Sequence, residues 1–240
     1  MKTSNKILLG IFLSPLLVIG AINLALYAKY KSGHYVAMAT VEQDRFVRET
    51  LKNIRYVAVY GLNNLGIQSA DTAKLEIEKD AHGHLHYNIH GDSLIIHGDS
   101  TVRRGTGNEI LRSYQSVNLY LPGEAYIIAD NSDVYLKGSK DSTKAKSYQF
   151  QLSGSASCKM RETDPETAHQ YFNTIVVQAK EAQMELSDNV RIKQLNLSLQ
   201  HTGFDDKNAL IDGLSIDADK TSSLTLKGDN LKKMKTSSHE

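Results

Sequence analysis

The sequence predicts an all-β protein: a parallel β-solenoid domain, β-helix-like, preceded by one N-terminal transmembrane helix. Three observations predict it. An uncharged apolar run extends from Ile7 to Ala28, short period-two runs follow at steps of about 20 residues, and "VYLKG" at 134–138 is echoed by "LTLKG" at 224–228. Repeats of that length cannot bury a hydrophobic face alone, so each coil is expected to cover its neighbour. A β-sandwich, which also uses short strands and frequent turns, is the alternative.

The apolar run reads "ILLGIFLSPLLVIGAINLALYA". As a helix it would be about 33 Å long, against a hydrocarbon core of about 30 Å. Pro15 and Asn23 interrupt it mildly, and proline is tolerated in membrane helices. Lys2 and Lys6 precede it, Lys29 and Lys31 follow, and Tyr27 and Tyr30 stand where interface anchors belong. The run is longer than a secretory h-region and no A-x-A follows it directly, so a signal-anchor is expected rather than a cleaved signal peptide. Membrane contact through residues 7–28 is the first partner the sequence implies, with residues 1–6 as a short tail. Flanking charge does not choose an orientation, because Arg45 and Arg48 lie on the far side and long domains translocate regardless of charge.

Residues 29–50 lack a sustained period and are expected to form a tether. The domain then runs over 51–235. Its strand candidates are "YVAVYGL" from Tyr56, "LEIE" from Leu75, "LIIHG" from Leu94, "VNLYLPG" from Val117, "VYLKG" from Val134 and "FQLSG" from Phe150. "IVVQA" from Ile175, "LNLSL" from Leu195 and "LSIDA" from Leu214 complete the series. "ETDPETAHQYFNT" breaks the rhythm; Asp164-Pro165 starts a turn and the neighbouring acids suit a short helical segment, so 161–174 is a possible junction. Residues 236–240 are expected to fray.

Lys plus Arg number 28 and Asp plus Glu 27, for a net charge of +1, which gives no global pull toward nucleic acid. Cys158 is the single cysteine, so an internal disulfide is excluded and the compartment is left open.

The stretch "DAHGHLHYNIHGDSLIIHGD" from Asp80 to Asp99 holds His82, His84, His86, His90 and His97. On a strand, His84, His86, Asn88 and His90 share one face while Leu85, Tyr87 and Ile89 share the other. The apolar set is expected inward and the histidines outward. After the Gly91-Asp92 turn, Ile95 is expected to face in. Imidazoles two positions apart lie about 6.5–7 Å apart, so His84, His86 and His90 are the candidate ligands for zinc, copper or nickel, with Asp92 or Asp99 as a further donor. The other reading is a solvated strand face written in histidine, with no metal and no cofactor, and this is the expectation carried forward.

Other chemistry is thin. "RRGTGNE" holds Gly105 and Gly107 without the strand–turn–helix context of a dinucleotide loop. "LSGSAS" lacks the nucleophile elbow around Ser155, and its small residues suit a close approach of neighbouring coils. Cys158 reads as a buried structural thiol. Tyr56, Tyr60, Tyr120, Tyr126 and Tyr135 are either half-buried packing or an exposed aromatic strip for a carbohydrate or protein partner.

"FVRETLKNIRYVAVYGLNNLGIQSADTAKLEIEKD", "HLHYNIHGDSLIIHG" and "SVNLYLPG…IIADNSDVYLKG…FQLSGSASCKM" resemble, in order, successive segments of the bacterial auto-transporter adhesin family with a head GIN domain. The likeness covers roughly Phe46 to Met160, and departs where "IIADNSDV" replaces the family's Ser-Gly-Ser turn. It implies a β-solenoid carried by extracytoplasmic or membrane-anchored proteins, and it brings no catalytic residues. The sequence therefore leads to a single-pass membrane protein with a periplasmic or outer domain that binds or supports and is not an enzyme. A metal-binding protein or metalloenzyme using the histidine strand, and an envelope-sensing regulator, are the alternatives.

Overall fold

The computed structural model of the chain describes residues 3–33, 45–79, 85–98, 117–160 and 169–235. They form two units, Met1–Arg45 and Phe46–Glu240. The first contains α1, Thr3–Lys31, which is long and apolar enough to cross a membrane and is exposed throughout its described side chains. Asn23 gives its amide hydrogen to the Ile19 carbonyl at 2.8 Å, which satisfies a polar group inside an apolar helix. Gly33, at φ 72°, closes the C-terminal end, where the left-handed conformation stops propagation.

Among its described residues the second unit is all-β apart from a short 3-10 turn at Ser142–Lys144 and a small helix α2, Asp229–Lys233. One sheet contains the strands β1 (Phe46–Thr50), β3 (Leu65–Ser69), β4 (Lys74–Glu78), β7 (Val117–Leu121), β9 (Asp133–Lys137), β11 (Ser157–Met160), β13 (Gln183–Glu185), β15 (Gly203–Asp205) and β17 (Ser223–Thr225). The other contains the longer strands β2 (Tyr56–Tyr60), β5 (Leu85–His90), β6 (Ser93–Gly98), β8 (Ala125–Asp130), β10 (Lys146–Ser153), β12 (Gln170–Lys180), β14 (Val190–Gln200), β16 (Leu210–Ala218) and β18 (Met234–Lys235). The sheets are mixed. β1 with β4, β4 with β7 and β5 with β6 are antiparallel; the remaining pairings are parallel. All nine period-two runs are strands. The stretch from Phe46 to Thr50, assigned to the tether from sequence, is instead β1 and belongs to the domain, because its alternation is completed only by pairing with β4.

From β8 onward the chain alternates between the sheets, and from β10 onward each strand pairs in parallel with the one before it in its own sheet, whereas β8 pairs with β2 and β9 with β3. Inward residues align in columns. Ile127, Phe150, Val177, Leu197 and Ile216 form one in the long-strand sheet; Val134, Cys158, Met184, Phe204 and Leu224 form one in the other. The 134–138 and 224–228 echo thus marks equivalent positions. Most of these side chains are buried in one continuous core, where a fully buried large apolar side chain contributes roughly 1.5–3 kcal/mol, while Ile216 is partly buried and Leu224 exposed.

The crossings between sheets share one device. Gly61, Asn131, Ser155, Glu181 and His201 all have positive φ, between 50° and 70° apart from Asn131 at 49°. Their amides continue the pairing between neighbouring turns of chain: Asn131 N donates to Ser153 O at 3.1 Å, Ser155 N to Glu181 O at 2.8 Å and Glu181 N to Gln200 O at 2.9 Å. The left-handed backbone costs Glu181 and His201 roughly 1 kcal/mol or more each, and the hydrogen bonds made at the corner offset it. Just past each corner a residue turns inward, as Ser132, Ala156, Ala182 and Thr202 do. Gly154 has φ 60°, and a Cβ there would lie 2.4 Å from Asp130 Oδ1, so the small residues of "LSGSAS" are there for close approach.

At the far end, α2 covers the last turn of chain. Buried Asp206 accepts Lys227 N at 2.9 Å and Asn230 Nδ2 at 2.8 Å, and the same amide group donates to Ala209 O at 2.8 Å. Of the possible junction at 161–174, residues 161–168 lie outside the described residues, as does the Gly105–Gly107 connection, while residues 170–174 are no break in the rhythm but the start of β12.

Candidate binding face

Long strands present alternate side chains outward, and the parallel register lines these up into rows. The first row reads His90, Ser93, Tyr56, Tyr126, Gln149, Val176, Asn196, Ser215. The second reads Asn88, Ile95, Ala58, Ile128, Gln151, Gln178, Ser198, Asp217; the third, His86, His97, Tyr60, Asp130, Ser153. One end is aromatic and apolar, and the remainder is mainly amide and hydroxyl, with Val176 and the carboxylates Asp130 and Asp217 among them.

Two ring pairs define the aromatic end. Tyr56 and Tyr126, side by side on β2 and β8, have ring centroids 6.2 Å apart at 58°. Tyr60 and His97, side by side on β2 and β6, stack at 4.9 Å and 15°. Tyr56 is 52% exposed and Tyr60 36%, so aromatic faces meet solvent although a core lies directly beneath. The Tyr126 hydroxyl donates to Gln151 Oε1 at 2.8 Å, which ties the aromatic end to the amide rows. Of the five tyrosines singled out in the sequence, Tyr56, Tyr60 and Tyr126 share this face, while Tyr120 and Tyr135 belong to the other sheet.

The histidine strand is β5, the edge of this sheet. His86, Asn88 and His90 are exposed as expected. Ile95 is not inward: Leu94 and Ile96 are buried and Ile95 lies half-buried on the outer face. The two-residue Gly91-Asp92 turn sets His90 opposite Ser93, and residues opposite each other share a face, which places Ile95 beside Asn88. Gly91 at φ 62° holds the first turn position that a type II′ hairpin reserves for glycine. Ile89, expected inward, is 38% exposed, and β5 is the edge of its sheet among the described residues.

His84 and Asp99 lie outside the described residues. His86 and His90, four positions apart on one strand, are about 13 Å apart along the backbone and do not share an ion. The imidazole facing His86 is His97, directly across the pair. Among the described residues no group of three or more His, Cys, Asp or Glu side chains gathers as a metal site. Asp92 instead serves the turn, its carbonyl accepting Arg55 N at 2.8 Å. Cys158 is fully buried, and burial pushes its thiol up to about 12, which suits packing and not nucleophilic attack.

The outer face of the other sheet carries a polar cluster of different character. Glu76, on β4 and buried, accepts Arg48 Nε at 2.9 Å, Lys74 Nζ at 2.5 Å and the Tyr120 hydroxyl at 2.9 Å. Desolvation alone would raise its pKa, but the hydrogen bonds from Lys74, Arg48 and Tyr120 outweigh it and hold the carboxyl below its usual range. Tyr120 is pushed up to about 12, first by burial and then by Glu76. Glu76 bonds to side chains of β1, β4 and β7, so the cluster reads as a structural clamp joining those three strands. Compared with models of known protein families and with curated proteins, the chain matches none.

Proposed function

We propose that the chain is a membrane-tethered β-solenoid of the head GIN type, its domain lying outside the cytoplasm, which binds a neutral polysaccharide along its long-strand face and does not turn it over. The carrying observation is the exposed pairing of Tyr56 with Tyr126 and of Tyr60 with His97 on a face whose rows continue mainly in amides and hydroxyls, with Asp130 and Asp217 among them. Aromatic faces offer apolar area at little entropic cost, and they suit the C–H face of a sugar ring. Rows of Gln, Asn and Ser offer donors and acceptors together, as hydroxyl-rich polymers require.

The solenoid reading rests on the parallel register from β6 across to β16 and on the matched inward columns of both sheets. The antiparallel strands β1, β4 and β5 then act as the cap of one end, closing sheet edges that would otherwise invite pairing. The tether reading rests on α1, and the outer location on the family resemblance.

The test is affinity electrophoresis of the full chain in mild detergent, through native gels with and without neutral polysaccharide. Retardation is expected, with loss in the Tyr56→Ala/Tyr126→Ala double variant. Equal retardation of that variant, no retardation of the parent chain, or conversion of the polysaccharide that depends on His86 or His97, overturns the reading.

A further inference from the structure

A second concavity lies away from the aromatic face. It has a volume of about 640 Å³ and is lined by the end of β3 with the segment after β9. Four lysines surround it, Lys137, Lys140, Lys144 and Lys146, against one lining carboxylate, Asp71. In a chain of net charge +1 this is a local concentration and not a spill-over of general basicity. Lys137 and Lys146 are half-buried, so their stems hold their ammonium groups near the wall, while Lys140 and Lys144 extend from the rim.

The segment that carries them is fixed in place. Gly138 N donates to the buried Gln170 Oε1 at 2.8 Å, and Ser139 and Tyr171 exchange backbone hydrogen bonds of 3.2 and 2.8 Å. A Cβ on Gly138 would stand 2.9 Å from the Phe172 ring, so the backbone is seated against the core. Asp141 is committed to the following turn, where it accepts both Thr143 N at 2.9 Å and Thr143 Oγ1 at 2.8 Å. Among the described residues Lys140, Lys144 and Lys146 form no ion pair, although the Asp141 carboxyl, held low first by its Thr143 hydrogen bonds, also feels the Lys144 charge. Holding several like charges around one rigid cavity costs electrostatic energy, which an anion occupying the cavity would recover.

We propose that this cavity binds a phosphate group, with Lys140, Lys144 and Lys146 as its cationic donors and the hydroxyls of Ser69 and Ser139 beside them. Ammonium groups act as compact point charges with rotatable donors, and they can surround a tetrahedral oxyanion from several sides. A fixed loop spares the ordering cost of such a site. The same chemistry is offered by a phosphodiester headgroup of the membrane surface and by a soluble phosphate compound. The site is separate from the polysaccharide face, since its residues lie at the end of β3 and between Lys137 and Lys146 and none of them belongs to the rows of that face.

The experiment uses the full chain in nanodiscs and reads hydrogen exchange at the amides of 137–146. One arm compares phosphatidylcholine discs with discs that also contain phosphatidylglycerol; the other adds pyrophosphate to phosphatidylcholine discs. Protection only with phosphatidylglycerol assigns the headgroup, and protection by pyrophosphate assigns a soluble phosphate. Either protection should vanish in the Lys140→Gln/Lys144→Gln/Lys146→Gln variant, with pyrophosphate affinity reduced about tenfold or more. The cavity is not a phosphate site if neither arm protects the segment, or if the variant binds as the parent does while retaining the parent's thermal midpoint.

Discussion

The Tyr87 hydroxyl donates to Glu49 Oε2 at 2.6 Å, and this bond joins the edge strand of one sheet to the edge strand of the other. Among the described residues neither β5 nor β1 pairs with a further strand, so their side chains supply the link that backbone pairing does not. Tyr87→Phe should cost about 1–2 kcal/mol, because a charged acceptor loses its donor in a half-buried place. The Glu49 hydrogen bond raises the Tyr87 pKa, with burial adding to it. A raised folded pKa contributes stability that is fully present below the unfolded value near 10 and is lost as pH rises through the folded value. Denaturant midpoints at neutral and strongly alkaline pH check both points: the parent should lose more stability at high pH than Tyr87→Phe does.

Glu76 gives the opposite pH signature. Its folded pKa is depressed, so its contribution is present above the unfolded value of about 4.5 and disappears as pH falls through the folded one. Glu76→Gln should destabilise the domain by about 1–3 kcal/mol at neutral pH, the partial exposure of Arg48 and Lys74 keeping it below the cost for a fully buried pair. The gap between parent and variant should narrow between pH 5 and pH 3, as followed by circular dichroism in urea. A gap unchanged over that range would place the acid sensitivity elsewhere.

Most strands were legible because their inward residues alternate over at least four positions, as in "YVAVY" and "LNLSL". β13 and β15 were not, since three residues cannot display a period, and β17 was marked only by the echo of "VYLKG" in "LTLKG". Nor did the sequence reveal that β2 lies between β6 and β8, an order that depends on which inward columns match in space. The tyrosines of the binding face were visible as residues, but their division between two sheets was not. The lysine cavity escaped notice for a similar reason. Its lysines read as a polar turn, and only the Gly138–Gln170 and Ser139–Tyr171 bonds show the turn to be fixed against the core.

Gly154→Ala tests the corner geometry. The substitution meets Asp130 Oδ1 at 2.4 Å and also places a side chain at φ 60°, so two penalties act together. A loss of about 1–3 kcal/mol is expected, read as a lower thermal midpoint. Gly203→Ala, whose nearest neighbour is Ser223 Oγ at 3.6 Å and whose φ is not positive, should cost less. Equal losses at the two sites would remove close approach as the reason for glycine at 154.

The end formed by α2 should open as a local unit. Asn230→Ala removes the amide that bridges Asp206 and Ala209, leaving a buried carboxylate with one fewer donor, at a cost of about 1–3 kcal/mol. Hydrogen exchange should rise first in β15, β17 and α2 and leave β8 and β10 protected. Uniform exchange across all strands would mean that the end folds only with the whole domain.

Metal addition distinguishes the two arrangements open to the histidines. A chelate along one strand would need His84, His86 and His90 to converge, whereas the pairing sets His86 across from His97 and leaves His90 about 13 Å away along β5. Two imidazoles, one of them already stacked on Tyr60, make an incomplete coordination sphere. Zinc is therefore expected to bind weakly, to be removed by dialysis against a mild chelator, and to depend on His86 and His97 equally. His90→Ala should leave that weak binding unchanged. Elemental analysis of the full chain after dialysis, compared across the three single variants, checks this. Stoichiometric zinc that survives dialysis and is lost in His90→Ala would require β5 to leave its place at the sheet edge, and would turn the search from ligand recognition to metal chemistry.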